Sequence, residues 1–412
     1  SRSISRPAPA SCSHEPGFDR PLESETPPHH MHPRRPTSPT QALRTLILSA
    51  MLLWVPAAMG VDHVLAPTDT WPESSAVAPG DRIYLTPGFY KEPPALSYTG
   101  TEALPITIAS VDASQPATLV GDVWGLTIRG GRHIKVSTLM VLSGQSGGIK
   151  VDRDEAGPSR SITLENIYVV PRPGSLTKVG IDLDGVEGTR IIRAKVDLWS
   201  RAAVQIRDAR DVEIRRLTIR GDKNASIGVR VNDAVDGLRI LDSSLLTIGG
   251  SGVAIGMVTS PPPASPPDAL PPPAARHVRI ERCIIERVAI PFTFASAADV
   301  LCSHCTIVEP GSAAFELRLV RDGWPSASGI QIQDNLIWWT VNGLKQFVID
   351  DQPDGEFQMG PNLWWAAEMP AAIEWLGGFP SNAAPQVVDV DPGLIPRTTR
   401  ATNPAARRFG PQ

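Results

Sequence analysis

Thr189-Arg190-Ile191, Val196 and Ala203-Val204-Gln205-Ile206 are followed by Val212-Glu213-Ile214, Ile219 and Gly228-Val229-Arg230-Val231. Leu238-Arg239-Ile240, Leu245 and Gly252-Val253-Ala254-Ile255 come next. The chain between 189 and 255 thus states one pattern three times. Each copy reads as two short alternating strands joined by polar or Gly-rich turns. Alternation sends every second side chain to the same face. One copy cannot bury that face alone, whereas stacked copies can, which is the sequence signature of a solenoid.

The pattern extends both ways. Its first inward residues are Ile134, Ile162, Thr189, Val212, Leu238, Val278, Val300 and Ile330, at steps of 28, 27, 23, 26, 40, 22 and 30. The step of 40 holds an insert over 258–275, and more than half of Pro261 to Pro273 is proline. Proline cannot donate to a ladder, so the insert reads as an extruded loop within one domain. Its removal is expected to leave stability nearly unchanged, because added loop length costs little.

Upstream, Pro79-Gly80-Asp81-Arg82-Ile83-Tyr84-Leu85-Thr86-Pro87-Gly88-Phe89-Tyr90 is followed by Pro105-Ile106-Thr107-Ile108 and Ala117-Thr118-Leu119-Val120-Gly121-Asp122. These phrases resemble the first coils of exported, pectin-lyase-like β-helix proteins, nearest in pattern to chondroitinase-B-like and alginate-lyase-like polysaccharide lyases. The resemblance implies an all-β, single-stranded right-handed parallel β-helix over 61–400, with 401–412 as a C-terminal tail. It does not carry an activity. The Glu-rich calcium site of the chondroitinase-B-like lyases and the Trp-x-Asp-His phrase of pectate lyases are absent. So are the Gly-Asp-Asp and Gly-His-Gly phrases of polygalacturonase-type hydrolases.

The 412 residues are 42% hydrophobic and 20% charged, with 41 Pro and 34 Gly, which suits a turn-rich β protein. Residues 1–30 have no apolar period and read as disordered or as a mis-assigned start before Met31. Residues 31–60 have the layout of a secretory signal peptide. Arg34, Arg35 and Arg44 precede the apolar run Leu46 to Val55, and the small residues Ala57, Ala58 and Gly60 follow it. Cleavage before Val61 is predicted, giving a secreted, periplasmic or surface protein with no membrane span in its mature chain. That chain keeps 33 basic against 39 acidic residues. The mild acidity argues against a nucleic-acid partner, and a monomer is expected.

In the second strand of each copy, the residues between the inward ones form two outward columns. One runs Lys150, Asp182, Gln205, Arg230, Ala254, Thr293, Glu316, and the other Asp152, Asp184, Arg207, Asn232, Gly256, Ala295, Arg318. Mixed charge and amides along a ribbon suit an extended acidic polysaccharide. Asp182, Asp184, Gln205, Asn232, Glu316 and Arg318 are the expected substrate contacts. A uronate lyase needs a base and a cation that neutralises the sugar carboxylate. Lys150 is the candidate base, with Arg207 and Arg230 as candidate clamps. Asp182 and Asp184 suit a calcium ion, which prefers oxygen ligands. Alternatively they form a hydrolase pair, with Cα atoms roughly 6.6 Å apart on one strand. Beside these stands a non-catalytic reading, a glycan-binding or structural cell-surface or matrix protein whose solvated face pairs its charges across rungs.

Cys302-Ser303-His304-Cys305 invites a zinc reading. Yet Cys302 and Cys305 fall at inward positions, and Cys283 occupies the place of Cys305 one coil earlier. A stacked core ladder of three free thiols, flanked by Ser243 and Asn335, is predicted. Replacing Cys305 by Ser is expected to cost about 1–2 kcal/mol. Six of the ten tryptophans lie between 324 and 375. They either stack sugars or cap the last coil, and terminal solenoid units are normally atypical.

Overall fold

An alternating strand must turn back once its apolar face is filled, or it leaves later apolar residues in water. In the computed structural model the chain turns back in this way repeatedly, winding into a right-handed parallel β-helix. The structure describes residues 60–175, 177–261, 263, 271–318, 320, 323–340, 345–349, 357–367, 384–388, 390–394 and 401–411. The N-terminal leader, Cys12 and Trp375 lie outside these. Among the described residues no helix is long and apolar enough to cross a membrane.

Three sheets run the length of the coil. Sheet A stacks Ile83, Ile108, Val136, Leu164, Ile191, Ile214, Ile240, Ile280, Cys302 and Ile332. Sheet B stacks Val141, Val169, Val196, Ile219, Leu245, Ile285, Ile307, Ile337 and Trp364. Sheet C stacks Ile128, Val151, Leu183, Ile206, Val231, Ile255, Phe294 and Leu317. The register read from the sequence holds in all three. Each copy, however, has three strands rather than two, as in Arg190–Ile192, Lys195–Asp197 and the opening of Trp199–Arg215.

The extra corner escaped the sequence because glycine does not mark it. Arg193, Arg216, Asp242, Arg282, His304 and Asp334 occupy the same place between sheets A and B, with φ between 52° and 56°. Asp and His are enriched in this left-handed region, whereas three arginines are unexpected there. The corner from B to C does carry small residues. A Cβ added to Gly148 or Gly180 would overlap the inward side chain of Val169 or Val196.

Just after the first corner lies a column of polar side chains. Ser243 Oγ donates to the Leu241 carbonyl and accepts from Leu217 N. Asn335 Oδ1 accepts from Cys305 N at 2.9 Å, and Asn362 Oδ1 from Asn335 N at 3.0 Å. Cys283 and Cys305 fill the same column as buried free thiols. Cys305 Sγ lies 3.4 Å from the Ser303 carbonyl, the bond Ser243 makes with an oxygen. A serine at 305 would therefore be satisfied, and Cys305→Ser is expected to cost less than about 1 kcal/mol. Cys302, on strand Ala297–Ser303, faces the apolar core, where burial drives its thiol pKa far up. There Cys302→Ser should cost about 1–3 kcal/mol. Urea titration of the two variants checks the difference.

The tryptophans divide by face. Trp339 and Trp364 point into the core, edge to face at 6.3 Å, with Phe315 against Trp364 at 6.2 Å. Trp338 and Trp365 lie on the outside of sheet B, where Ala406 and Phe409 cover them with Leu336 and Leu363. The C-terminal segment therefore packs on the last rungs, and Phe409 is 2% exposed.

Candidate functional site

Sheet C brings the predicted ribbon together in the predicted order. Lys150 pairs with Asp182 and Asp152 with Asp184. Asp182 then pairs with Gln205, Asp184 with Arg207, and Gln205 with Arg230. Beyond Arg230 come Ala254, Thr293 and Glu316. Because parallel rungs repeat at about 4.8 Å, Lys150 and Arg230 stand roughly 14 Å apart along the ribbon. The candidate base and that candidate clamp are thus three rungs apart.

At the N-terminal end the charges are mutually engaged. Lys150 Nζ lies 2.7 Å from Asp152 Oδ2, and Arg129 Nε 3.4 Å from Asp152 Oδ1. Arg207 Nη2 bridges two carboxylates, 3.1 Å from Asp182 and 2.9 Å from Asp184. Gln205 Nε2 donates to the other Asp182 oxygen at 3.0 Å. Burial raises the pKa of Asp182, against the pull of Arg207 and Gln205, and the charge of Asp184 adds to the rise. Arg153 crosses over Gly185, a residue at φ 66°, to pair with Asp208.

This geometry corrects two expectations for the aspartates. A calcium ion does not fit between Asp182 and Asp184, because the Arg207 guanidinium already binds both. Nor are they a hydrolase pair open to a glycosidic bond, since one cation ties them together on one side. Among the described residues no group of three or more His, Cys, Asp or Glu is placed to hold a metal.

Arg230 is different. On sheet A the comparable cations pair across rungs, as Lys135 does with Glu165 at 2.6 Å and Arg239 with Glu213 at 2.8 Å. Arg230 is half-buried, yet its bond is to the Asn232 amide oxygen at 2.9 Å, and among the described residues it has no carboxylate partner. Burial lowers its pKa and the like charge of Arg201 adds to this, while Asp233 opposes it. Arg201 precedes the alternating columns, so column reading passed it over. Nearby, Gln205 Oε1, Arg207 Nε and Asn232 Nδ2 are buried with no hydrogen-bond partner among the described residues. Buried polar groups of this kind normally find one.

Beyond Arg230 the ribbon becomes a floor of small residues, Ala254, Gly256, Thr293 and Ala295. It ends at Glu316, which accepts from Thr293 Oγ1 at 2.9 Å and pairs with Arg318 at 2.9 Å. These two predicted contacts satisfy each other, three rungs from Arg230. The insert emerges beside this floor. Pro261, Pro263, Pro272 and Pro273 line a cleft of about 250 Å³ with Trp324, whose indole donates to the Ser260 carbonyl at 3.1 Å. Trp324 is 8% exposed. Deleting 261–273 is therefore expected to uncover an aromatic ring and cost roughly 1–2 kcal/mol, rather than leave stability unchanged. A lower melting temperature with red-shifted tryptophan emission would show it.

No protein-family model matches the chain, and no curated protein sequence does. Solved structures do. A GH136 lacto-N-biosidase from Eubacterium ramulus superposes with a TM-score of 0.51 at 10% identity, over 77% of this chain and 69% of that one. The chain shares its fold. An alginate lyase from Paenibacillus sp. str. FPU-7 gives 0.49 at 13% identity, over 70% of this chain and 99% of that one. Pectate lyase Pel9A gives 0.48 at 14%, over 72% and 80%.

Proposed function

We propose that this is an exported protein that binds an acidic polysaccharide lengthwise along sheet C. In this reading a sugar carboxylate sits on Arg230, with Arg201 adding long-range attraction, and the ring lies over Ala254, Gly256, Thr293 and Ala295. The observation that carries it is the half-buried Arg230 guanidinium, which has no carboxylate partner among the described residues and lies beside Arg201 and next to that floor. Burying a cation in this way costs free energy that an anionic ligand would offset. The unpartnered Asn232 Nδ2 and Gln205 Oε1 supply a donor and an acceptor for sugar hydroxyls. Supporting a glycan as the class of ligand, a solved structure that shares the fold is a lacto-N-biosidase by name.

The second reading adds lyase-like chemistry on the same ribbon. It is favoured by Asp182, a carboxyl with a raised pKa two rungs from Arg230, since such groups cluster at catalytic sites. One experiment separates the readings. Purified protein is titrated with alginate, pectate and glycosaminoglycans by calorimetry, and each mixture is followed for the ultraviolet absorbance of an unsaturated product. Binding that Arg230→Ala weakens about tenfold or more supports the ribbon, a range set by charged hydrogen bonds. Product absorbance adds the lyase. No binding to any acidic glycan, or binding indifferent to Arg230→Ala, overturns the proposal.

A further inference from the structure

Asp81 lies at the N-terminal edge of the coil with its side chain 3% exposed. Oδ1 accepts from Val61 N at 2.7 Å, while Oδ2 accepts from Ala78 N at 2.8 Å and lies 3.3 Å from His63 Nε2. Among the described residues, Val61 is also the first whose backbone bonds into the β-helix. Its carbonyl accepts from Arg82 N at 2.9 Å, and strand Asp62–Leu65 continues from it in parallel with Arg82–Leu85. Gly60, immediately before, runs so close to the Gly80 carbonyl that any Cβ there would overlap it. The bond between Gly60 and Val61 is the one the leader pattern marks for cleavage.

We infer that Asp81 is a receptor for the α-ammonium group that cleavage before Val61 creates. Hydrolysis of that bond adds one water, leaving a carboxylate on Gly60 and an amine on Val61, and the amine is protonated at neutral pH. An uncleaved chain offers Asp81 a neutral amide at this position; a processed one offers a cation with three donors. Charge-assisted hydrogen bonds are about twice as strong as neutral ones, so processing would lock the first rung. Hydrogen bonds from Ala78 N, Val61 N and His63 lower the pKa of Asp81 against the effect of burial, so it is ionised to receive the amine. Among the described residues, His63, Asp62 and Arg82 are further titratable or charged groups at this edge, and Arg82 lies 3.8 Å from Asp62.

The sign follows from the ion pair. Asp81 raises the folded-state pKa of the amine above its ordinary value near 7.7–8.0. The added stability is therefore fully present below that value and disappears as pH rises through the raised one. Two measurements test the inference. The chain from Met31 is expressed in a secreting bacterial host, and the mature N-terminus is sequenced. Protein beginning at Val61 is then unfolded in urea with its amine free or acetylated, at pH 6 and pH 10. The expected results are a start at Val61 and an unfolding constant about tenfold smaller for the free amine at pH 6 only. Acetylation should have no effect in Asp81→Asn. A start elsewhere, or equal stability of free and acetylated wild type at pH 6, overturns the inference even if Asp81→Asn fails to fold.

Discussion

Arg207→Ala is expected to destabilise the protein by about 3 kcal/mol at neutral pH, at the low end for breaking a buried pair because Arg207 is 32% exposed. The loss comes from Asp182, which is 4% exposed and would keep the Gln205 amide as a hydrogen-bond donor. Even in the wild type its pKa is raised. A carboxyl whose folded pKa exceeds its unfolded value contributes stability at acid pH and loses it as pH rises through the folded value. Removing Arg207 raises that pKa further. The difference between variant and wild type should therefore shrink as pH falls below the range where Asp182 protonates. Arg207→Ala with Asp182→Asn should recover most of the loss at neutral pH. Urea unfolding of the two variants between pH 4 and pH 7 reads this out directly. A pH-independent loss would mean that the arginine acts by packing on the sheet rather than through its charge.

Trp364→Ala should remove about 3–5 kcal/mol, the cost of deleting a large buried aromatic. Trp364 is fully buried, held by Phe315 and Trp339 edge contacts, and its indole donates to Gln386 Oε1 at 3.0 Å. It stands on strand Leu363–Ala366, the last full strand of sheet B among the described residues, and Val387 pairs in parallel with Leu363 beyond it. Trp365→Ala, one residue on but facing outward under the C-terminal segment, should cost less. Equal losses for the two would contradict the division of the tryptophans by face. Calorimetric melting of both proteins decides it.

Sequence alone determined the solenoid class and its register. A period of two, repeated at 22 to 30 residues outside the proline insert, puts Ile134, Ile162, Val212 and Leu238 on one buried face, because a slip of one residue would turn every apolar side chain outward. The same register fixed the outward columns, so the neighbours of Lys150, Asp182 and Arg230 were legible before any coordinates. It also put the cysteines inside, since Cys283 and Cys305 share a column with Ser243 and Asn335.

Tertiary structure decided what those neighbours do. Column order says that Arg207 follows Asp184, but not that one guanidinium reaches both aspartates and closes them to a metal. That depends on side-chain rotamers, which no periodicity encodes. Arg201 and the proline wall lie outside the alternating strands, so their approach to Arg230 and Trp324 arises only when coils stack. The corner at Arg193 was hidden for a related reason. Local sequence disfavours a left-handed arginine, and the energy of burying Ile191 and Val196 on two different sheets overrides that preference.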